Sequence, residues 1–344
     1  MQDREYLVDL ARFIVMLLIM LGHFFVLRYP PFTILSFTVP FFLVASGFYS
    51  AMSFSQKADQ SFWRHAGTYY IKRFFRILPP FLAVMLVASF FFAMKDIGYK
   101  LLFVANIKQY LDVESKAAFF QKFFDFHQNA DHLWYVSLQE QLYFIAPFLF
   151  LLIPRDRVIY FIAVLIALSV VIREFLLGQY VYRIYGLILP IAIEYFLWGS
   201  IVYLLVNKRA AFKTLCQKIL PISVTLLVVL IYAQITLFGY TLYHFEVTFF
   251  QTPMAIVLAL ICAGLSFQVG NKVACRTFEY LGSLSFSMFL VHPFIQYVFI
   301  RRLDMMDTAG FVASSVISIL LAILIKHFVE KPSHKVRDYV LKRI

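Results

Sequence analysis

Arg12 and His23 stand 11 residues apart in the first apolar stretch of the sequence. On an α-helix that separation is about three full turns, with about 20° of residual rotation and about 16 Å of rise, so both side chains fall on one face. Arginine brings a permanent cation with a planar fork of donors suited to phosphate. Histidine exchanges its proton near neutral pH and serves most often as general base. Asp9, three residues before Arg12, is spaced to pair with it and hold it. A histidine satisfied by a neighbouring helix is the plainer account of His23, and the face it shares with Arg12 argues for chemistry.

Further polar residues recur in later apolar stretches. Asp131-His132-Leu133-Trp134-Tyr135 opens one of them and leads through Ser137, Gln139, Glu140 and Gln141 to Tyr143. His292 lies in another. Counted from the outer ends of their stretches, Glu140 and His292 are about seven residues deep and His23 about five, which suggests one polar cavity in the outer half of a membrane. The alternative, three groups facing three different helix neighbours, stays open on depth alone. Arg73 and Arg76 share a face at i and i+3, after a basic stretch with Lys57, Arg64 and Lys72 and just before Pro79-Pro80. That cluster suits a polyanionic phosphate ligand, and it equally suits anchoring to anionic lipid. Arg173-Glu174 and Glu194 are further charges in apolar surroundings, without an assigned partner.

The elements that must carry these residues follow from composition. Hydrophobic residues make up 62% of the 344, charged residues 15%, and mean hydropathy is +0.79; a soluble domain has about 45–50% apolar and about 25% charged residues. Apolar runs of about 20 residues, the length of a membrane-crossing helix, alternate with short charged breaks. Ten spans are expected, near 7–28, 31–54, 77–94, 133–154, 157–178, 184–206, 218–238, 248–268, 277–299 and 308–329. The fold class is therefore all-α, a polytopic transmembrane bundle forming a single domain over 1–344, with a small extracytoplasmic cap at 95–132. The first segment lacks a small-residue cleavage site before Arg28-Tyr29-Pro30-Pro31 and reads as a retained span rather than a signal peptide.

A net charge of +12 and a pI near 9.5 would suggest nucleic acid in a soluble protein. Here the basic residues gather in alternate loops, from Arg4 through Arg64, Arg155, Lys208 and Lys272 to the Lys331–Arg343 tail, so both termini are expected in the cytoplasm and no nucleic-acid partner is implied. Cys216, Cys262 and Cys275 form no CxxC pair, so neither a metal site nor a disulfide framework is expected. The 41 phenylalanines and 21 tyrosines read as packing and interfacial belts.

The motifs resemble acyltransferase family 3, integral-membrane acyltransferases that include O-acetyltransferases of bacterial surface polysaccharides. Tyr6-Leu7-Val8-Asp9-Leu10-Ala11-Arg12 followed by Gly22-His23 is similar to the family's opening helix, and Val39-Pro40-Phe41-Phe42 with Ser46-Gly47-Phe48 to its second. Arg73-Phe74-Phe75-Arg76-Ile77-Leu78-Pro79, His132-Leu133-Trp134-Tyr135 with Gln141-Leu142-Tyr143, and Leu281-Gly282 through Ser285-Phe286-Ser287 to Leu290-Val291-His292-Pro293 continue the likeness over the chain. One departure stands out: where many members carry Glu this chain has Gln139, with Glu140 next, and neighbouring helical residues point about 100° apart.

The resemblance implies an acyl-CoA donor, acetyl-CoA above all, entering from the cytoplasm as co-substrate with no permanently bound cofactor, and a carbohydrate or lipid-linked glycan acceptor across the inner membrane. Arg12, Arg73 and Arg76 would bind the donor's phosphates or pantetheine arm. His23 would be the general base, oriented by Glu140 or, failing that, by Gln139, with Asp9 and His292 in support. Direct transfer and a covalent acyl-enzyme both remain open. A transporter or flippase of a lipid-linked glycan is the rival; it would more naturally show paired half-repeats and broken helices. A purely structural scaffold leaves the Arg12–His23 face unexplained.

Overall fold

The computed structural model describes residues 6–25, 35, 37–55, 61–92, 94–112, 130–179, 188–238, 250–266 and 272–343. Among them there are helices and helical turns and no strand. The chain builds α1 (Tyr6–Phe25), α2 (Thr38–Ser55), α3 (Phe62–Phe91), the short α4 (Ile97–Leu101) and α5 (Ala105–Asp112), and α6 (Trp134–Leu151). It continues with α7 (Val158–Gln179), α8 (Leu189–Lys208), α9 (Ala210–Lys218), α10 (Leu220–Phe238), α11 (Gln251–Leu265), α12 (Lys272–Tyr297), α13 (Thr308–Ile325) and α14 (Lys331–Leu341). Among the described residues seven helices are long and apolar enough to cross a membrane, eight when α9 and α10 count as one span. Each expected span coincides with a helix, although α11 is short and the polar run of α6 keeps it outside that test. The first half of the expected cap is α4 and α5; residues 113–129 lie outside the described residues, as do Arg4, Arg28 and Lys57.

Two expected boundaries move. The span placed at 77–94 begins at Phe62, so Arg64, Lys72, Arg73 and Arg76 are helical residues rather than a loop. Arginine and lysine are good helix formers and their stems lie along apolar surface, so the basic stretch continues the helix at little cost. Pro79 and Pro80 sit inside α3, where each removes an N–H that would have served the carbonyl four residues earlier, Phe75 and Arg76. Ser333 of α14 donates its hydroxyl to that Phe75 carbonyl at 2.7 Å and fills one vacancy. The span expected at 218–238 is preceded by α9 and bends by 58° at the α9–α10 junction. Pro221, which cannot donate into the preceding turn, accounts for the break.

Helix packing brings the polar residues together. α1 runs alongside α12 in the same direction: Tyr6 stacks on Phe278 with ring centroids 6.1 Å apart, and Gln296 donates to the Met20 carbonyl at 2.8 Å. A Cβ at Gly282 would lie 2.6 Å from the Asp9 carbonyl oxygen, so only glycine lets the two backbones touch there. α2 crosses α8 as closely; a Cβ on Gly47 would fall 1.8 Å from the Phe196 oxygen. This contact fixes the face of α2 that carries Ser46.

The unassigned charges of α7 and α8 find each other. Arg173 donates to Glu194 at 2.5 Å, and Glu194 also accepts from Gln251 at 3.0 Å and from the Thr252 hydroxyl. Both ionic residues are buried, and the network ties α7 and α8 to α11.

Candidate active site

Five helices, α1, α2, α3, α6 and α12, enclose a cavity of about 250 Å³. Arg12 enters from α1, Arg73 and Arg76 from α3, Gln139 and Tyr143 from α6, and Phe289 from α12. Arg12 is held by Asp9 at 3.0 Å, the pairing that the three-residue spacing predicts. Arg73 lies over aromatic faces: its guanidinium carbon is 4.2 Å from the Tyr143 ring centroid and 5.1 Å from that of Tyr69. Stacking of this kind fixes a guanidinium without neutralising it. Among the described residues no carboxylate lies within salt-bridge distance of Arg73 or Arg76.

Tyr143 is the hub of the cavity wall. Its hydroxyl accepts from Arg73 at 3.2 Å and from Gln139 Nε2 at 2.7 Å. With both lone pairs engaged, its own proton points to Ser46 Oγ, 3.1 Å away. In the sequence Tyr135 and Tyr143 stand out only as parts of motifs, and Tyr69 does not stand out. The signal was available in the i, i+4 spacing of Gln139 and Tyr143 and of Tyr69 and Arg73, which puts each pair on one helix face.

Next to the cavity lies a histidine cluster. His23 Nδ1 is 2.9 Å from His292 Nε2, and the two rings stack at 5.2 Å with 12° between their planes. His132, from the turn Asp131–Leu133 that leads into α6, meets the His292 ring edge-on at 5.7 Å. Phe289 joins the two regions: it lines the cavity, and its ring lies 5.3 Å from His132 and 5.8 Å from His292. His23 is one helical turn beyond Ile19, which also lines the cavity.

The expected donor set Arg12, Arg73 and Arg76 thus converges, and His23 meets His292. Glu140 does not join them. It does not line the cavity, and its Oε1 is buried without a hydrogen-bond partner among the described residues. Gln139, the neighbour turned about 100° away, is the one that faces the cavity. No group of three or more metal-ligating side chains occurs among the described residues.

Fold and site together define an all-α, multi-pass membrane protein with a basic pocket set against a histidine cluster. A family model described as an acyltransferase domain matches residues 5–327, and the chain belongs to that family, acyltransferase family 3. It is a membrane acyltransferase. No curated protein and no solved structure matches the chain.

Proposed function

We propose that this acyltransferase takes an acyl group, acetyl above all, from cytoplasmic acyl-CoA and transfers it to a hydroxyl of a carbohydrate or lipid-linked glycan on the far side of the inner membrane. Both termini would be cytoplasmic, and the 344 residues would act as one domain with no resident cofactor. The observation that carries this reading is the convergence of Arg12, Arg73 and Arg76 on one cavity whose Phe289 wall touches His292. Two of these arginines have no carboxylate partner among the described residues, as a site that awaits an anion requires.

In the proposed reaction the arginines hold the donor's phosphates or pantetheine arm, and the acyl end passes Phe289 to reach His23. The acceptor hydroxyl gives its proton to His23 as its oxygen attacks the thioester carbonyl. A C–O bond forms, the C–S bond breaks, and the imidazolium returns the proton to the departing thiolate. Direct transfer in a ternary complex is the simplest form.

The test is transfer of label from acetyl-CoA by the purified protein to a glycan acceptor, with His23→Ala alongside. A general base contributes about 10²–10⁴-fold, so the variant is expected to fold and to lose at least about a hundredfold in rate. Near-normal transfer by His23→Ala would overturn the role of His23; movement of a lipid-linked glycan without turnover of acetyl-CoA would overturn the reading in favour of a flippase. Mass analysis of surface glycans with and without the gene identifies the acceptor.

A further inference from the structure

His292 Nδ1 lies 3.0 Å from the carbonyl oxygen of Phe289 and 3.2 Å from that of Met288. The Met288 carbonyl already receives the backbone N–H of residue 292 in the α-helical ladder, but Phe289 would be served by residue 293, which is proline. Pro293 therefore leaves an orphan acceptor inside α12, and the His292 ring fills it. Carbonyl oxygens only accept, so in the neutral ring Nδ1 carries the proton and Nε2 the lone pair. That lone pair faces His23 Nδ1 at 2.9 Å. His23 Nδ1 must then donate, and the lone pair of His23 is left on Nε2.

We infer that His292 is a positioning residue that fixes the tautomer and ring orientation of His23, with Pro293 supplying the carbonyl that anchors it. The inference rests on the reading of His23 as general base. It assigns the base nitrogen, Nε2, and gives the His-Pro dipeptide a chemical purpose. A carboxylate usually orients a catalytic histidine; here a second imidazole, pinned by a proline-freed carbonyl, does so in an apolar setting where an unpaired carboxylate is costly. When His23 takes the acceptor's proton, its Nδ1–H stays bonded to His292 Nε2, so the new positive charge has an acceptor in place.

The test has a spectroscopic arm and a kinetic arm. In protein labelled with ¹⁵N at histidine, His23 is expected to show a protonated Nδ1 and a bare Nε2, and the proton is expected to move to Nε2 in His292→Ala. In transfer assays His292→Ala should lose about 10²-fold in kcat with KM for acetyl-CoA within about twofold. His292→Gln can place an amide oxygen where Nε2 was and should recover to within about tenfold of wild type, whereas His292→Asn reaches only the Nδ1 position and should resemble alanine. Pro293→Ala restores a competing N–H and should lower kcat about threefold to tenfold. A bare Nδ1 on wild-type His23, or equal activity of the Gln and Asn variants, overturns the inference. His23→Ala inactive beside a fully active His292→Ala sinks this inference alone, whereas an active His23→Ala sinks the underlying reading.

Discussion

Two sets of arginines sit within the helical bundle, and they are satisfied in opposite ways. Arg173 is closed: it meets Glu194 at 2.5 Å, and Glu194 in turn accepts from Gln251 and Thr252. Arg73 and Arg76 are open, facing a cavity with aromatic rings and a tyrosine hydroxyl but no carboxylate at bonding distance among the described residues. The first arrangement holds three helices together and meets the arginine's charge with a fixed carboxylate. The second keeps its charge available. Counting buried cations therefore says little; whether the partner is a fixed carboxylate or a cavity separates structure from function.

The largest expected effect breaks the closed site. Glu194→Ala leaves Arg173 buried without its counter-charge and should cost about 3–5 kcal/mol of stability, seen as a lower unfolding temperature in detergent. The paired change Arg173→Met with Glu194→Leu should recover most of that loss, and kcat of folded protein should stay near wild type in both. If Glu194→Ala unfolds nothing, the network is not a structural tie.

The open site should respond in binding rather than folding. Arg73→Ala and Arg76→Ala are each expected to raise KM for acetyl-CoA about tenfold or more, with kcat within about threefold, since each removes a charge-assisted contact remote from the reacting carbon. Unchanged KM with depressed kcat would move these residues out of the donor site. Tyr143→Phe, which removes the hydroxyl that Arg73, Gln139 and Ser46 share, should raise KM by about threefold to tenfold.

The smallest effect concerns the adjacent pair in α6. Among the described residues Glu140 makes no hydrogen bond to His23 and does not line the cavity, so Glu140→Gln is expected to change kcat less than about threefold, and Gln139→Ala, on the cavity face, should do more damage. A loss with Glu140→Gln as deep as that of His23→Ala would return Glu140 to the catalytic role.

Much of this was legible in the sequence because membrane depth enforces simple rules. Apolar length placed a helix at every expected span, although α6 and α11 fall outside the seven or eight that are long and apolar enough to cross a membrane among the described residues; helical spacing paired Asp9 with Arg12, and matched depth brought His23 to His292. What escaped depended on contacts between distant helices. Arg173 and Glu194 are 21 residues apart on separate helices, and no periodicity links them. Tyr69 and Tyr143 were hidden among the tyrosines that any such chain uses for packing. The matched depth of Glu140 was legible, but depth does not report direction: Gln139 lines the cavity, and one residue of rotation takes the Glu140 carboxylate out of that lining and away from the histidine pair. The start of α3 was misplaced because the basic residues from Arg64 to Arg76 read as a loop before the apolar run, and only Ser333, from far along the chain, shows how one carbonyl freed by Pro79 is satisfied.

That last contact bears on the order in which the protein is made. α3 enters the membrane early in synthesis with its arginine turn loosened by two prolines, and the hydroxyl that ties the Phe75 carbonyl belongs to α14, the last of the described helices to be translated. Nascent chains assemble from the N-terminus onward, so every earlier span can be inserted and packed while this donor turn still lacks its fastening. The basic pocket is completed only once the ribosome has passed Ser333, well after the cavity's other walls have been made.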